Sequence, residues 1–90
     1  MTREDILATA SRLVTVERAA THGALDEGLG RIGDLWSIYL GQPVTAVDAA
    51  AMLALMKVAR LVENPRHADN WIDLAGYAAC GGELATGAGS

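Results

Sequence analysis

Apolar residues recur at helical spacing in four stretches of the chain, each punctuated at its ends. In the first, Ile6, Leu7, Ala10, Leu13 and Val14 share one stripe, which predicts a helix over residues 3–17 with that stripe buried. Thr2 followed three residues later by Asp5 is a capping-box pair, with Asp in place of the preferred Glu. Thr15 and Val16 are β-branched and weaken the end of this helix. The segment from Arg18 to Gly23 reads as a connection, with Gly23 as the breaker.

A second stripe, Leu25, Leu29, Ile32, Leu35, Trp36 and Tyr39, predicts a helix over 25–40. Gly28, Gly30 and Gly33 lie inside it, each costing up to about 1 kcal/mol against Ala. Close approach of a neighbouring backbone is the compensation they call for. Gly41 and then Pro43 mark the stop. Thr45 and Asp48 repeat the capping-box spacing ahead of a third helix over 46–62. That helix is apolar nearly all round, as in a helix central to a bundle or set at an oligomer interface. Glu63-Asn64-Pro65 ends it. A fourth helix over 69–84, capped by Asp69 or a neighbour, carries Trp71, Ile72, Leu74, Ala75, Tyr77 and Ala78, and Gly81-Gly82 loosens its end. Trp36, Tyr39, Trp71 and Tyr77 all fall on apolar faces and are expected mostly in the core. Tyr77 also has a ring and a hydroxyl to offer a pocket. These elements make an all-α fold, a four-helix bundle occupying residues 1–85, with 86–90 a flexible tail that has no packing residues.

Composition changes this picture in one respect. The chain has 90 residues and is 51% hydrophobic, with no Phe. A single core of that size is marginal, and the apolar excess predicts a homo-oligomer, a dimer or higher, with the third helix or the glycine-bearing second helix at or near the interface. The net charge of −4 argues against binding nucleic acid through its backbone, which needs a basic stripe. It leaves room for one small anionic ligand held by two or three cations. The charged N-terminus is unlike a signal peptide, and no apolar run approaches the ~18 residues that span a membrane. The expectation is a cytoplasmic protein with no membrane partner. Cys80, on an apolar helix, reads as a packing residue.

Candidate chemistry gathers where the third and fourth helices join. Lys57 and Arg60 share a face of a helix otherwise nearly free of charge. An unpaired buried cation is costly, so each meets an anion, reaches solvent or binds an anionic ligand such as a phosphate. Asp69 and Asp73, spaced i, i+4, also share a face. They either pair with those cations or, with further oxygens, chelate Mg²⁺. Antiparallel packing of consecutive helices is expected to unite all four in one cluster. Arg66 and His67, just ahead of the fourth helix, would extend a phosphate site at its N-terminus. No glycine-rich phosphate loop and no Ser-His-Asp arrangement is present.

The stretch RIGDLWSIYLG from Arg31, the K-x-x-R-L element at Lys57 and the D-x-x-x-D-x-x-G-Y element from Asp69 to Tyr77 together resemble a group of short bacteriophage and prophage proteins. That group is known as a domain of unknown function, DUF6378, and the resemblance covers most of residues 12–85. Where the group carries Tyr-Gly in its second loop, this chain carries His22-Gly23. The group in turn is distantly similar to the all-α MazG-type nucleoside triphosphate pyrophosphohydrolases. Those are helical oligomers that hydrolyse nucleotides with Mg²⁺, through E-x-x-E on one helix and E-x-x-D on another. This chain departs from both motifs: Ala51 follows Asp48, and Asn70 precedes Asp73. The resemblance therefore implies a nucleotide- or phosphate-binding domain with degenerate or absent pyrophosphohydrolase activity. Two alternatives stay open: a non-enzymatic oligomeric protein acting on host or phage partners, and a sponge that sequesters a nucleotide.

Overall fold

The computed structural model describes residues 1–17 and 24–87. The expected connection from Arg18 to Gly23, including His22, lies outside the described residues, as do residues 88–90. Among the described residues the chain is all-helical, with four helices and no strand.

Helix α1 spans Arg3–Arg12 and continues as a π-helical turn, Leu13–Glu17. Its start is the expected capping box: the Asp5 amide donates to Thr2 Oγ1 at 3.1 Å, and the Thr2 amide donates to Asp5 Oδ2 at 3.0 Å. The β-branched end does not fray but widens, and the Thr15 hydroxyl donates back to the Ser11 carbonyl at 2.6 Å. Helix α2 spans Leu25–Leu40 and stops at Gly41, whose φ of 68° is the left-handed conformation that favours glycine. Helix α3 spans Ala46–Glu63 behind the second capping box, with the Asp48 amide donating to Thr45 Oγ1 at 3.1 Å. Helix α4 spans Ala68–Thr86.

The α3–α4 hairpin is the frame. These two helices share the most extensive contact in the molecule. They run antiparallel, because Lys57 meets Asp73 and Ala50 meets Gly81: the numbering rises on one helix as it falls on the other. Small residues set their closeness. Ala49 and Ala50 are fully buried, and a Cβ on Gly81 would lie 3.2 Å from that of Ala50. Gly81-Gly82 therefore does not loosen the helix as expected; Gly81 lets α3 approach, and α4 runs on to Thr86. At the other end of the hairpin the Trp71 indole N–H donates to the Pro65 carbonyl at 2.8 Å and fixes the turn. His67, not Asp69, sits at the N-cap of α4, and its side chain makes no capping bond.

α2 leans on α3, and α1 leans on α4. The glycines of α2 divide in purpose. A Cβ on Gly33 would lie 2.6 Å from the Val44 carbonyl oxygen, so Gly33 admits the returning backbone as expected. The same return is tied by Ser37, whose Oγ accepts the Val44 amide at 2.7 Å while donating to the Gly33 carbonyl. Gly30, in contrast, faces open space.

The core is small. Leu29, Ala49, Ala50 and Cys80 form its centre, with Val14, Ile32, Trp36 and Leu53 packed against it. No large side chain among the described residues is fully buried. Several residues expected in the buried stripes lie outside: Leu7 is 63% exposed, Leu35 60% and Tyr39 89%. Trp71 is also exposed, turned toward the hairpin loop. The cause is that α1 and α2 each lean chiefly on one neighbour, so only a narrow part of each apolar stripe is covered.

Candidate functional site

Because α1 leans on α4 and α2 on α3, the two outer helices do not close on each other along their length. A cleft of about 430 Å³ remains between α1, α2 and α4. Leu13 and Val14 of α1, Leu25, Leu29 and Ile32 of α2, and Ile72 of α4 make its walls apolar. Val14 reaches α4 because position 76 is glycine; its Cγ1 lies 3.0 Å from where a Cβ would stand. Three polar side chains border the cleft: Arg31 from α2, and Asp73 and Tyr77 from α4. Arg31 is exposed and has no ion-pair partner among the described residues. A guanidinium in that state has spare donors for a carboxylate or phosphate.

Asp73 is held from behind. Lys57 Nζ of α3 lies 2.8 Å from Asp73 Oδ2, and the two side chains are only 13% and 23% exposed. This ion pair is half of the expected four-residue cluster. The rest does not join it: Asp69 is 78% exposed and stands 3.8 Å from the exposed His67 imidazole. Arg60 is exposed and makes no ion pair among the described residues. Antiparallel packing did bring the two helix ends together. However, Arg60 and Asp69 both remain exposed at those ends rather than joining the pair. Arg66 is exposed in the joining loop, where its amide donates to Asn64 Oδ1 at 3.3 Å, and neither Arg66 nor His67 lines the cleft.

Of the residues singled out from the sequence, Asp73 and Tyr77 thus reach the cleft and Lys57 supports it from behind. Arg31 is a cleft residue that no sequence motif marks as a candidate. Its spacing carried a signal: Gly28 and Leu35, at i−3 and i+4, are cleft residues on the same face. The residues present do not fit a tightly held Mg²⁺. The Lys57 ammonium occupies Asp73, and among the described residues no three His, Cys, Asp or Glu side chains converge. Asp48, the acid closest in place to the first MazG motif, is engaged in the capping box of α3, its Oδ2 accepting the Thr45 amide at 3.0 Å.

Among the described residues, no helix is long and apolar enough to cross a membrane. No solved structure matches the chain. It is 42% identical over 74 residues to the Gene 55 protein of Mycobacterium phage L5, covering 81% of this chain and 47% of that protein. It is 39% identical over 77 residues to the Gene 55 protein of Mycobacterium phage D29, covering 86% of this chain and 51% of that one. The chain therefore spans about half the length of these two phage relatives. Residues 5–85 match the family described as a domain of unknown function, DUF6378. With that match extending over nearly the whole chain and two phage proteins of this similarity beside it, the chain belongs to the DUF6378 family.

Proposed function

We propose that this phage-type domain binds a nucleotide, or a ligand of like chemistry with a flat ring and an anionic group, in the cleft between α1, α2 and α4. The observation that carries the reading is the make-up of that cleft. Its volume of about 430 Å³ lies in the range of small-molecule sites, and its walls are apolar with a few polar groups at the border. A base would lie among Leu13, Leu25, Ile32 and Ile72. Arg31 would take the phosphate, and Asp73 and Tyr77 would meet amino or hydroxyl groups of the ligand. The distant MazG likeness supports the same class of ligand. The catalytic part of that likeness gains no support, since Ala51 and Asn70 replace two of its acids and Lys57 occupies Asp73. The reading is therefore binding, with hydrolysis degenerate or absent, and it extends to a sponge that holds a nucleotide uncleaved.

The test is a thermal-shift series with nucleoside mono-, di- and triphosphates, with and without Mg²⁺, on the wild type and Arg31→Ala. Stabilisation by a true ligand grows with its concentration and corresponds to about 2.7 kcal/mol at a hundredfold excess over Kd. Arg31→Ala is expected to weaken binding at least tenfold, the scale of a lost charge-assisted hydrogen bond. A wild type indifferent to every nucleotide sinks the reading. It would leave the second one, a non-enzymatic interaction module, whose support is the exposed apolar end of α2: Ile38 is 79% exposed and Leu40 50%.

A further inference from the structure

We infer that the outward face of α3 is a self-association surface, on which a second copy of this chain packs its own α3 antiparallel across a two-fold axis at Leu55. This goes beyond the ligand reading and does not depend on it. α3 is apolar on opposite sides. One side, with Ala49, Ala50 and Leu61, is buried against α2 and α4. The other presents Ala51, Met52, Leu55, Val58, Ala59 and Val62, all exposed. Leu55 is 66% exposed and Val62 82%. At 100° per residue these six fall within one broad stripe, and no charged residue interrupts it over three turns. Contiguous exposed apolar surface of this kind marks an interaction site.

The order of residues within the stripe selects the occupant. A two-fold interface is isologous, so residue i must accept residue j while j accepts i. Crossing two α3 helices antiparallel at Leu55 places Met52 of one copy opposite Ala59 of the other, and Val58 opposite Ala51. Each large side chain then meets a small one, on both flanks, and Leu55 meets its own copy. Such alternation is what interdigitating helices require. A lipid surface fits this face poorly. Membrane-seated helices are flanked by several cations, whereas Asp48 and Glu63 bound this stripe on a chain of net charge −4.

The test is sedimentation equilibrium on the wild type and Leu55→Asp, with helical content followed by circular dichroism. The wild type is expected to be dimeric at high micromolar concentration. Leu55→Asp sets two carboxylates against each other at the axis and is expected to give a helical monomer. Leu55→Cys provides a second readout that does not depend on tolerance of Asp. Its thiol meets its own copy and should form an intermolecular disulfide under mild oxidation, while the wild type, whose single Cys80 is buried, should not. A monomeric wild type overturns the inference, whether or not it sediments with lipid vesicles. So does a dimer that persists in Leu55→Asp and leaves Leu55→Cys uncrosslinked, which would move the interface to another face.

Discussion

The two halves of the molecule handle apolar residues in opposite ways. In the α3–α4 hairpin Ala50 faces Gly81, and the helices come close enough that a Cβ on Gly81 would lie 3.2 Å from that of Ala50. In the α1–α2 half the facing positions are Leu13, Val14, Leu25, Leu29 and Ile32, and the helices stay apart around a cleft of about 430 Å³. Both halves carry apolar stripes at helical spacing. The lesson is that side-chain size, more than hydrophobicity, decides whether two helices seal or enclose a cavity: small residues let backbones meet, and large ones need a partner surface that α1 and α2 do not give each other.

The largest expected effect tests this contrast directly. Ala50 and Ala10 are both buried alanines, at 0% and 5% exposure. Ala50→Leu forces the hairpin open and should cost about 3 kcal/mol. Ala10→Leu has the cleft to grow into and should cost under about 1 kcal/mol. Urea unfolding of the two variants compares them, and equal losses would show that the cleft is not available space. Ala10→Leu should also obstruct any ligand that the cleft accepts.

A middle-sized effect concerns the ion pair within the hairpin, at the border of the cleft. Asp73→Ala leaves the Lys57 ammonium only 13% exposed and without its partner, and should cost about 2 kcal/mol, short of the full penalty for a deeply buried charge. Replacing both partners together, as Lys57→Met with Asp73→Leu, should recover most of that loss. A double-mutant cycle in denaturant measures the recovery, and strict additivity would mean the pair contributes no coupling.

The smallest effect lies at the N-terminus of α1. The Thr2 backbone amide and hydroxyl hold the Asp5 carboxyl below its ordinary value. A depressed carboxylate pKa contributes stability above the unfolded value and loses it as pH falls through the folded one. Acidification below about pH 4 should therefore fray the first turn of α1 while the hairpin stays intact. Amide exchange at Asp5 and Ile6, followed against pH, reads this. Fraying that begins near neutral pH would point to a different group.

What the sequence disclosed follows the range of the interactions involved. Both capping boxes, the Gly41 stop and the four helices rest on residues within a few positions of each other, and they are where the spacing places them. Gly33 was legible as a close approach, although which backbone approached it was not. The failures are tertiary. Leu7, Leu35 and Tyr39 obey the helical period yet lie exposed, because periodicity identifies an apolar face without saying whether a neighbour covers it. Lys57 and Asp73 pair as expected, but Arg60 and Asp69 do not follow, because sharing a helix face at i, i+3 or i, i+4 still leaves about 40–60° between directions. The cleft itself was invisible. It exists because two helices distant from each other in packing fail to meet, and no local pattern records that.

The contact of Val14 with Gly76 has a consequence for how the chain is made. α2, α3 and α4 each pack on the element next to them in sequence, so they assemble through short closures. α1 instead finds its extensive partner in α4, beyond both α2 and α3 in sequence. Of the four helices, α1 is thus the one separated by the longest stretch of chain from its docking surface. Its apolar stripe stays unburied until α4 has been synthesised, and that longest loop closure shuts the outer wall of the cleft.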